Sequence, residues 1–193
     1  MNNSSHTVKI QSAINTFQAW LEDEVQVVRF EKFIDEVFGS LKRGNKVIFF
    51  GNGGSAAEAT HLSAEFTGKC VHDIGPLPAL SLNDSVSALT AISNDWTFEK
   101  VFARQVQALV RTGDVVIGLS TSGASANVIA GLEEAQRMGA VTSLWSSKQL
   151  KDLSKIDFSY IFQAPTNSTP RAQELHLLIG HILAEEIELR WQS

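Results

Sequence analysis

Short apolar runs alternate along the chain with longer segments whose apolar residues recur at helical spacing. The short runs are rich in β-branched and aromatic residues, which predicts buried strands at 46–50, 79–82, 115–119, 141–145 and 159–163. Helices are predicted directly after the glycines at 53–54 and over 86–92, 98–111, 126–138 and 172–191. Strands alternating with helices indicate right-handed βαβ units. We therefore expect an α/β fold with a single doubly wound, five-stranded parallel sheet in the flavodoxin-like order 2-1-3-4-5.

The segment 7–41 is predicted to be helical, in two helices with a break between them. Its apolar stripe is wider than one helix face, because Val27 and Phe30 lie outside the periodicity of the other apolar residues. A helix on the outside of an α/β domain needs only one apolar stripe, so the extra width predicts a second buried contact. We expect that contact to be another copy of the chain. The alternative is that the C-terminal helix of the same chain covers it.

Composition and charge narrow the class of protein. A length of 193 residues with no linker or repeat predicts a single domain over 1–193. The net charge of −5 argues against a nucleic-acid-binding surface, which is usually basic. Cys70 is the single cysteine, which excludes an internal disulfide and favours a reducing, cytoplasmic location. No apolar run approaches membrane length, and the first six residues lack the features of an export signal.

A glycine-rich loop, Gly51-Asn52-Gly53-Gly54-Ser55, leads from the first predicted strand into a predicted helix. The start of a helix presents free backbone N–H groups that favour an anion, and glycines allow a ligand to approach the backbone closely. The spacing fits neither the dinucleotide-binding fingerprint nor a P-loop, since the Walker lysine is missing. The loop therefore predicts an anion site, with a simple turn as the alternative.

His61 and Glu65 follow on the same predicted helix and share a face, because they are four residues apart. A phosphate at the helix start and a His/Glu pair one to three turns further on would suit a phosphorylated sugar. The alternative for this pair is an ordinary surface contact without a metal.

A second polar loop, residues 120–125, follows the third predicted strand and carries the hydroxyls of Ser120, Thr121, Ser122 and Ser125. In the predicted order, strands 1 and 3 are neighbours at the switch point, where such sheets bind ligands. Both loops are therefore expected to meet there. Hydroxyls and backbone N–H groups can hold a phosphate without a cation, and the absence of Lys and Arg favours a single phosphomonoester. A cap and turn is the alternative.

Five motifs occur in order along the chain. They are Gly51 to Ala57 with His61 and Glu65; Asn94-Asp95; residues 102–106 with 113–115; the loop 120–125; and Thr169-Pro170-Arg171 with Gln173, Glu174, His176 and His181. Together they resemble the phosphoheptose isomerases of the sugar-isomerase (SIS) domain superfamily. The similarity extends over essentially the whole chain and includes the N-terminal helices.

The resemblance implies a homotetramer with a central helical bundle, in which the segment 7–41 packs, and active sites between subunits. It also implies an aldose–ketose isomerase that converts sedoheptulose 7-phosphate to D-glycero-D-manno-heptose 7-phosphate through an enediol. This is the first committed step towards bacterial surface heptoses, such as those of lipopolysaccharide. No nucleic acid or membrane is expected as a partner.

The resemblance further implies the role of each site residue. Glu65 and His181 would be the catalytic base and acid, and one zinc ion per subunit would bind His61, Glu65, Gln173 and His181. Gln173 and His181 are eight residues apart, roughly 12 Å along a helix, so converging on one ion requires a bend or two subunits. The sugar phosphate would contact Asn52, Gly53, Gly54, Ser55, Glu65, Asn94, Asp95, Ser120, Thr121, Ser122, Ser125 and Gln173.

The sequence departs from the family at three places. Lys69 stands where Arg is usual, Ala124 replaces a common Asn, and residues 144–150 replace a longer Thr-Gly-x-x-Gly-Gly connection. The last departure could reshape the phosphate side of the pocket, so an isomerase of another phosphosugar stays an alternative. A second alternative is a non-catalytic tetrameric scaffold of the replication-initiator-associating type. Those proteins lack the Glu and the final His, whereas Glu65 and His181 are both present here.

Overall fold

A five-stranded parallel sheet forms the centre of the protein in the computed structural model, which describes residues 5–150 and 157–192. Residues 1–4, part of the segment in which no export signal is expected, lie outside the described residues. The sheet order is β2-β1-β3-β4-β5, with every neighbouring pair parallel, and the predicted order is confirmed. The strands are β1 (Val47–Gly51), β2 (Ala79–Ser81), β3 (Val115–Leu119), β4 (Val141–Ser147) and β5 (Tyr160–Ala164).

Helices cover both faces of this sheet. They are α1 (Ser5–Leu21), α2 (Glu24–Lys42), α3 (Gly54–Thr67), α4 (Val86–Asp95), α5 (Val101–Leu109), α6 (Ala126–Arg137) and α7 (Thr169–Gln192), with a 3₁₀ turn at Phe98–Lys100. Successive residues of a strand point to opposite faces. Val47 and Phe49 therefore enter a core shared with α2, α3 and α7, whereas Ile48 and Phe50 enter a second core with α5 and α6. The doubly wound architecture is confirmed.

Several element boundaries differ from the prediction by a few residues, and the predicted helix 98–111 divides into the 3₁₀ turn and α5. Three of the differences have a clear physical reason. α4 runs to Asp95 instead of ending at residue 92, because the Ser93 hydroxyl bonds a carbonyl one turn earlier and does not interrupt the helix. β4 extends to Ser147, whose buried hydroxyl bonds the backbone of the loop 120–125. α7 begins at Thr169, three residues before the predicted start. Pro170 is tolerated there because N–H groups in the first turn of a helix make no intrahelical hydrogen bond, so its missing N–H costs nothing.

The two N-terminal helices are separated at residues 22–23, as predicted. Asp23 caps α2 by accepting a 3.1 Å hydrogen bond from the Gln26 N–H. Trp20 and Phe30 are buried in the core that α7 shares, so the C-terminal helix covers part of this segment. Other apolar residues stay at least 48% exposed, namely Val8, Ile10, Ile14, Leu21, Val25 and Val28. Within the described ranges, no helix is both long and apolar enough to cross a bilayer.

A buried carboxylate on α7 fastens the segment that follows α3. Glu188 accepts backbone N–H bonds from Cys70 (2.7 Å), Val71 (2.9 Å) and His72 (2.7 Å). Burial raises the pKa of Glu188, but these three donors and the His72 side chain outweigh that effect, so the pKa lies below its ordinary value. The contact holds the end of α3 against α7.

We expect Glu188→Gln to lower the free energy of unfolding by about 1–3 kcal/mol, because three backbone N–H groups lose a charged acceptor that is itself buried. The stabilisation by Glu188 is present above the ordinary pKa of a glutamate and is lost as the pH falls through the lower pKa of the folded protein. The difference between variant and parent should therefore shrink in acid. Chemical denaturation at several pH values measures it.

Glu185→Gln is the matched control, because Glu185 is an exposed carboxylate on the same helix. Its effect should stay within about 0.5 kcal/mol. A loss in Glu188→Gln no larger than that would contradict the anchoring role.

Candidate active site

The two polar loops meet at the carboxyl edge of the sheet. β1 and β3 are neighbours and end level with each other, since Gly51 pairs with Leu119. Asn52 in the glycine loop and Asn127 at the start of α6 exchange two amide hydrogen bonds of 2.8 Å. Gly53 has φ +58°, a conformation that suits glycine, and it turns the chain directly into α3. The predicted meeting of the two loops is therefore confirmed.

Hydroxyl groups converge in the loop 120–125, which we call the serine loop. The Ser120 Oγ lies 2.8 Å from the Ser125 Oγ and 3.4 Å from the Ser122 Oγ. Ser125 occupies the cap position of α6 without a side-chain capping bond, so its hydroxyl is not used as a helix cap. Clustered hydroxyls at the start of a helix can hold a phosphate.

The connection after β4 touches the serine loop. The Ser147 Oγ donates a 2.6 Å hydrogen bond to the Thr121 carbonyl, and the Leu150 side chain lies against Gly123, which has φ +65°. Residues 144–150 are also where the chain departs from the family pattern. This departure therefore lies directly beside the predicted phosphate site.

His61, Glu65 and His181 form a compact cluster between α3 and α7. Nε2 of His61 lies 2.7 Å from Nε2 of His181 and 3.4 Å from Oε1 of Glu65. One atom from each side chain, a ring nitrogen or a carboxylate oxygen, lies within 4.8 Å of the other two. Two imidazole nitrogens and a carboxylate oxygen are a donor set that zinc accepts. The His61 side chain is 47% exposed, so a ligand can reach the cluster.

The cluster depends on a close approach of α7 to α3. Gly180 lies so near Leu62 that a Cβ on Gly180 would overlap the Leu62 side chain. At the other end of the contact, the Gln173 side-chain amide fills the space that a Cβ on Gly54 would need. Gly180 therefore permits a close approach to the buried Leu62, and Gly54 leaves room for the Gln173 amide.

Gln173, on α7, lies against Gly54 at the N-terminal end of α3. It lines a cavity of about 340 Å³ together with Ala57, Glu58, His61, Leu177 and Gly54. The Gln173 amide therefore lies near the start of α3, whereas the ring of His181 lies directly beside that of His61. Ligation of a metal by Gln173 stays a prediction.

Asn94 and Asp95 lie at the C-terminal end of α4, on the exposed surface. Nδ2 of Asn94 donates a 2.9 Å hydrogen bond to Oδ1 of Asp95. Lys69 is also exposed, directly after α3. Contact of these residues with substrate stays a prediction.

Three residues that build this site were not predicted from the sequence. Asn83 bonds both the N–H (3.1 Å) and the carbonyl (3.0 Å) of Gly51, so it fixes the glycine loop, and Asn127 holds Asn52. Glu58 is buried beside Ser55, which is buried as well. Only Glu58 had a sequence signal, because it lies three residues from both Ser55 and His61 and so shares their face of the helix.

Comparison with known proteins gives consistent matches. The SIS domain family matches residues 10–143. A phosphoheptose isomerase of Thermodesulfovibrio yellowstonii is 47% identical over 150 residues, which cover 77% of this chain and 74% of that protein. One from Burkholderia pseudomallei is 39% identical over 182 residues, covering 94% and 92%. The structure of phosphoheptose isomerase from Neisseria gonorrhoeae matches with a TM-score of 0.85 and 33% identity, covering 94% of this chain and 96% of that one.

Proposed function

Since the chain belongs to the phosphoheptose isomerases of the SIS domain family, we propose that it converts sedoheptulose 7-phosphate to D-glycero-D-manno-heptose 7-phosphate. The product would supply bacterial surface heptoses, including those of lipopolysaccharide, and the reaction would take place in the cytoplasm. The whole chain, 1–193, would act as one domain. The cluster of His61, Glu65 and His181 is the observation that carries the proposal, because a scaffold has no need of it.

The layout of the site suits a sugar phosphorylated at its last carbon. The serine loop and the start of α3 lie at one end, and the cluster lies farther along α3. The axial rise from Gly54 to His61 is roughly 10 Å. A ligand that spans both places must carry its phosphate and its reacting carbons at opposite ends, as a ketose 7-phosphate does.

Glu65 and His181 supply the proton transfers of an aldose–ketose isomerisation. The Glu65 carboxylate removes a proton from C1 of the ketose, and the electron pair forms an enediol across C1 and C2. His181 moves a proton between the oxygens on these carbons, and Glu65 returns its proton to C2. The transfers balance within the substrate, so no external oxidant or reductant is needed. Each positioned acid or base contributes about 10²–10⁴ in rate.

A zinc ion is part of the proposal, with His61, Glu65, His181 and Gln173 as its ligands. The donor set of the cluster fits this ion, and Gln173 adds an amide oxygen from the adjoining cavity. When bound, the metal would polarise the substrate carbonyl and stabilise the negative charge of the enediolate.

We expect the purified protein to contain about one zinc per subunit and to lose most activity on chelation. His61→Ala should lose the metal and the activity while keeping the fold, since the sheet does not include this residue. Zinc affinity should weaken in acid, because protons compete for the imidazole nitrogens. Elemental analysis and activity before and after chelation measure this. Full activity at negligible metal content would contradict the role of zinc and leave Glu65 and His181 as a base and acid that act without a metal.

We also propose a homotetramer in which the N-terminal segment 7–41 packs between subunits. The exposed apolar residues of α1 and α2 support an interface there, because an exposed stripe of this size favours a partner surface. Sedimentation of the purified protein gives the mass directly. A monomer at micromolar concentration would contradict the proposal.

Incubation with a panel of ketose phosphates, followed by NMR detection of the aldose, tests the function. Turnover of sedoheptulose 7-phosphate above all other members would support the proposal. Preference for another sugar would favour the alternative, an isomerase of another phosphosugar. That alternative is supported by the contact of Ser147 and Leu150 with the serine loop, because these residues belong to the segment that departs from the family pattern. No turnover of any member would favour the tetrameric scaffold.

A further inference from the structure

Glu58 is a buried acid in the candidate site that the proposed reaction does not use. It lies on the face of α3 that carries Ser55 and His61, and only 4% of the residue is exposed. It nevertheless lines the cavity between α3 and α7. The residue is therefore hidden from solvent but borders a space that another group can enter.

The carboxyl of Glu58 has the Ser55 hydroxyl as its near polar neighbour but makes no hydrogen bond of ordinary geometry. Neither oxygen has a hydrogen bond within the part of the chain that the structure describes. Burial raises the pKa of Glu58 to about 7, and the nearby Ser55 hydroxyl offsets this only in part. A buried carboxyl whose oxygens are not fully hydrogen-bonded costs folding free energy. We therefore expect the carboxyl to form a hydrogen bond with a donor in the cavity when the site is occupied.

Gln173 is the complementary group in that cavity. The other residues that line it are mostly small or apolar, namely Gly54, Ala57 and Leu177, with His61 at the far side. The Gln173 amide carries two N–H donors and one oxygen acceptor, whereas the carboxylate of Glu58 can only accept. A residue that can donate and a residue that can accept therefore line one space from opposite helices.

We propose that Glu58 is a positioning residue, whose carboxyl accepts a hydrogen bond from Nε2 of Gln173 and turns Oε1 of Gln173 towards His61. The inference rests on the proposed function, in which that oxygen is a zinc ligand. A hydrogen bond to the far side of a ligand fixes its orientation, and its loss typically costs 10–100-fold in metal affinity.

Zinc affinity, measured by competition with a chelating dye, tests the role of Glu58 independently of activity. Glu58→Leu should bind zinc about 10–100-fold more weakly than the parent, and Glu58→Gln should restore most of the affinity, because its amide oxygen still accepts. In a Gln173→Ala background, Glu58→Leu should cause no further loss. Glu174→Gln is the matched control: its carboxyl also has a buried, unpartnered oxygen, but it pairs with Arg171, and its substitution should leave the affinity unchanged.

The outcomes separate the inference from the proposed function. A parent protein without His61-dependent zinc binding overturns both. Zinc binding by the parent with equal affinity in Glu58→Leu overturns the role of Glu58 alone. The same holds if Glu58→Leu weakens zinc binding equally with and without Gln173, because Glu58 would then act by another route. Circular dichroism checks the fold, and Glu58→Ala carries the same comparisons if the Leu variant does not fold.

Discussion

Replacing Glu65 with glutamine is expected to lower the turnover of the sugar phosphate by about 10²–10⁴-fold, because the variant keeps the shape of the side chain but cannot take a proton from carbon. Glu65 contacts His61 at 3.4 Å, and only 17% of its side chain is exposed, so an isosteric change should not disturb the packing. Steady-state kinetics, with the aldose detected by NMR, measures the loss. Binding of the sugar phosphate should be retained.

Glu133→Gln is the control for this experiment. Glu133 is an exposed carboxylate on α6, away from the cluster, and its variant should turn over at the parent rate. Turnover of Glu65→Gln within a few-fold of the parent would show that another group acts as the base. Loss of the folded state, seen by circular dichroism, would instead assign Glu65 a structural role.

The serine loop should contribute most of the affinity for the phosphate. Each hydrogen bond to a charged group is worth about 1.5–3 kcal/mol. Ser120→Ala combined with Ser122→Ala should therefore weaken sugar-phosphate binding by about 10²–10⁴-fold, at 1.4 kcal/mol per tenfold. Binding of the unphosphorylated sugar should change little. Isothermal titration with both ligands measures the difference.

Ser87→Ala provides the comparison for the double variant, because Ser87 is an exposed serine outside the loop. It should bind both ligands as the parent does. Equal losses for the phosphorylated and unphosphorylated sugars in the double variant would mean that the serine loop does not hold the phosphate.

Local sequence pattern was sufficient for the sheet but not for the ends of its elements. The run 115–119 is buried at every position, as expected for a strand covered on both faces. The end of β4 could not be predicted from pattern, because Ser147 is held by a carbonyl 26 residues earlier in the chain. Element ends fixed by distant partners carry no local signal.

The residues of the candidate site also fall into those that local spacing predicts and those that only tertiary packing places. Spacing alone placed His61 and Glu65 on one face of a helix. The approach of His181, 120 residues away, follows from the packing of α7 on α3, and in the sequence only the family resemblance pointed to it. Glu58 was missed because glutamate on a helix is usually exposed, and its burial arises from two helices that meet in three dimensions.

The glycine at position 180 has a consequence for protein engineering. In isolation, exchanging a glycine for alanine within a helix favours the helix by about 1 kcal/mol, so a search for thermostable variants would select this change. Here the added methyl would overlap the buried Leu62 side chain, so either Leu62 or α7 must shift, and a shift of α7 would move His181 away from His61. Heat resistance and catalytic geometry therefore compete at a residue that has no side chain.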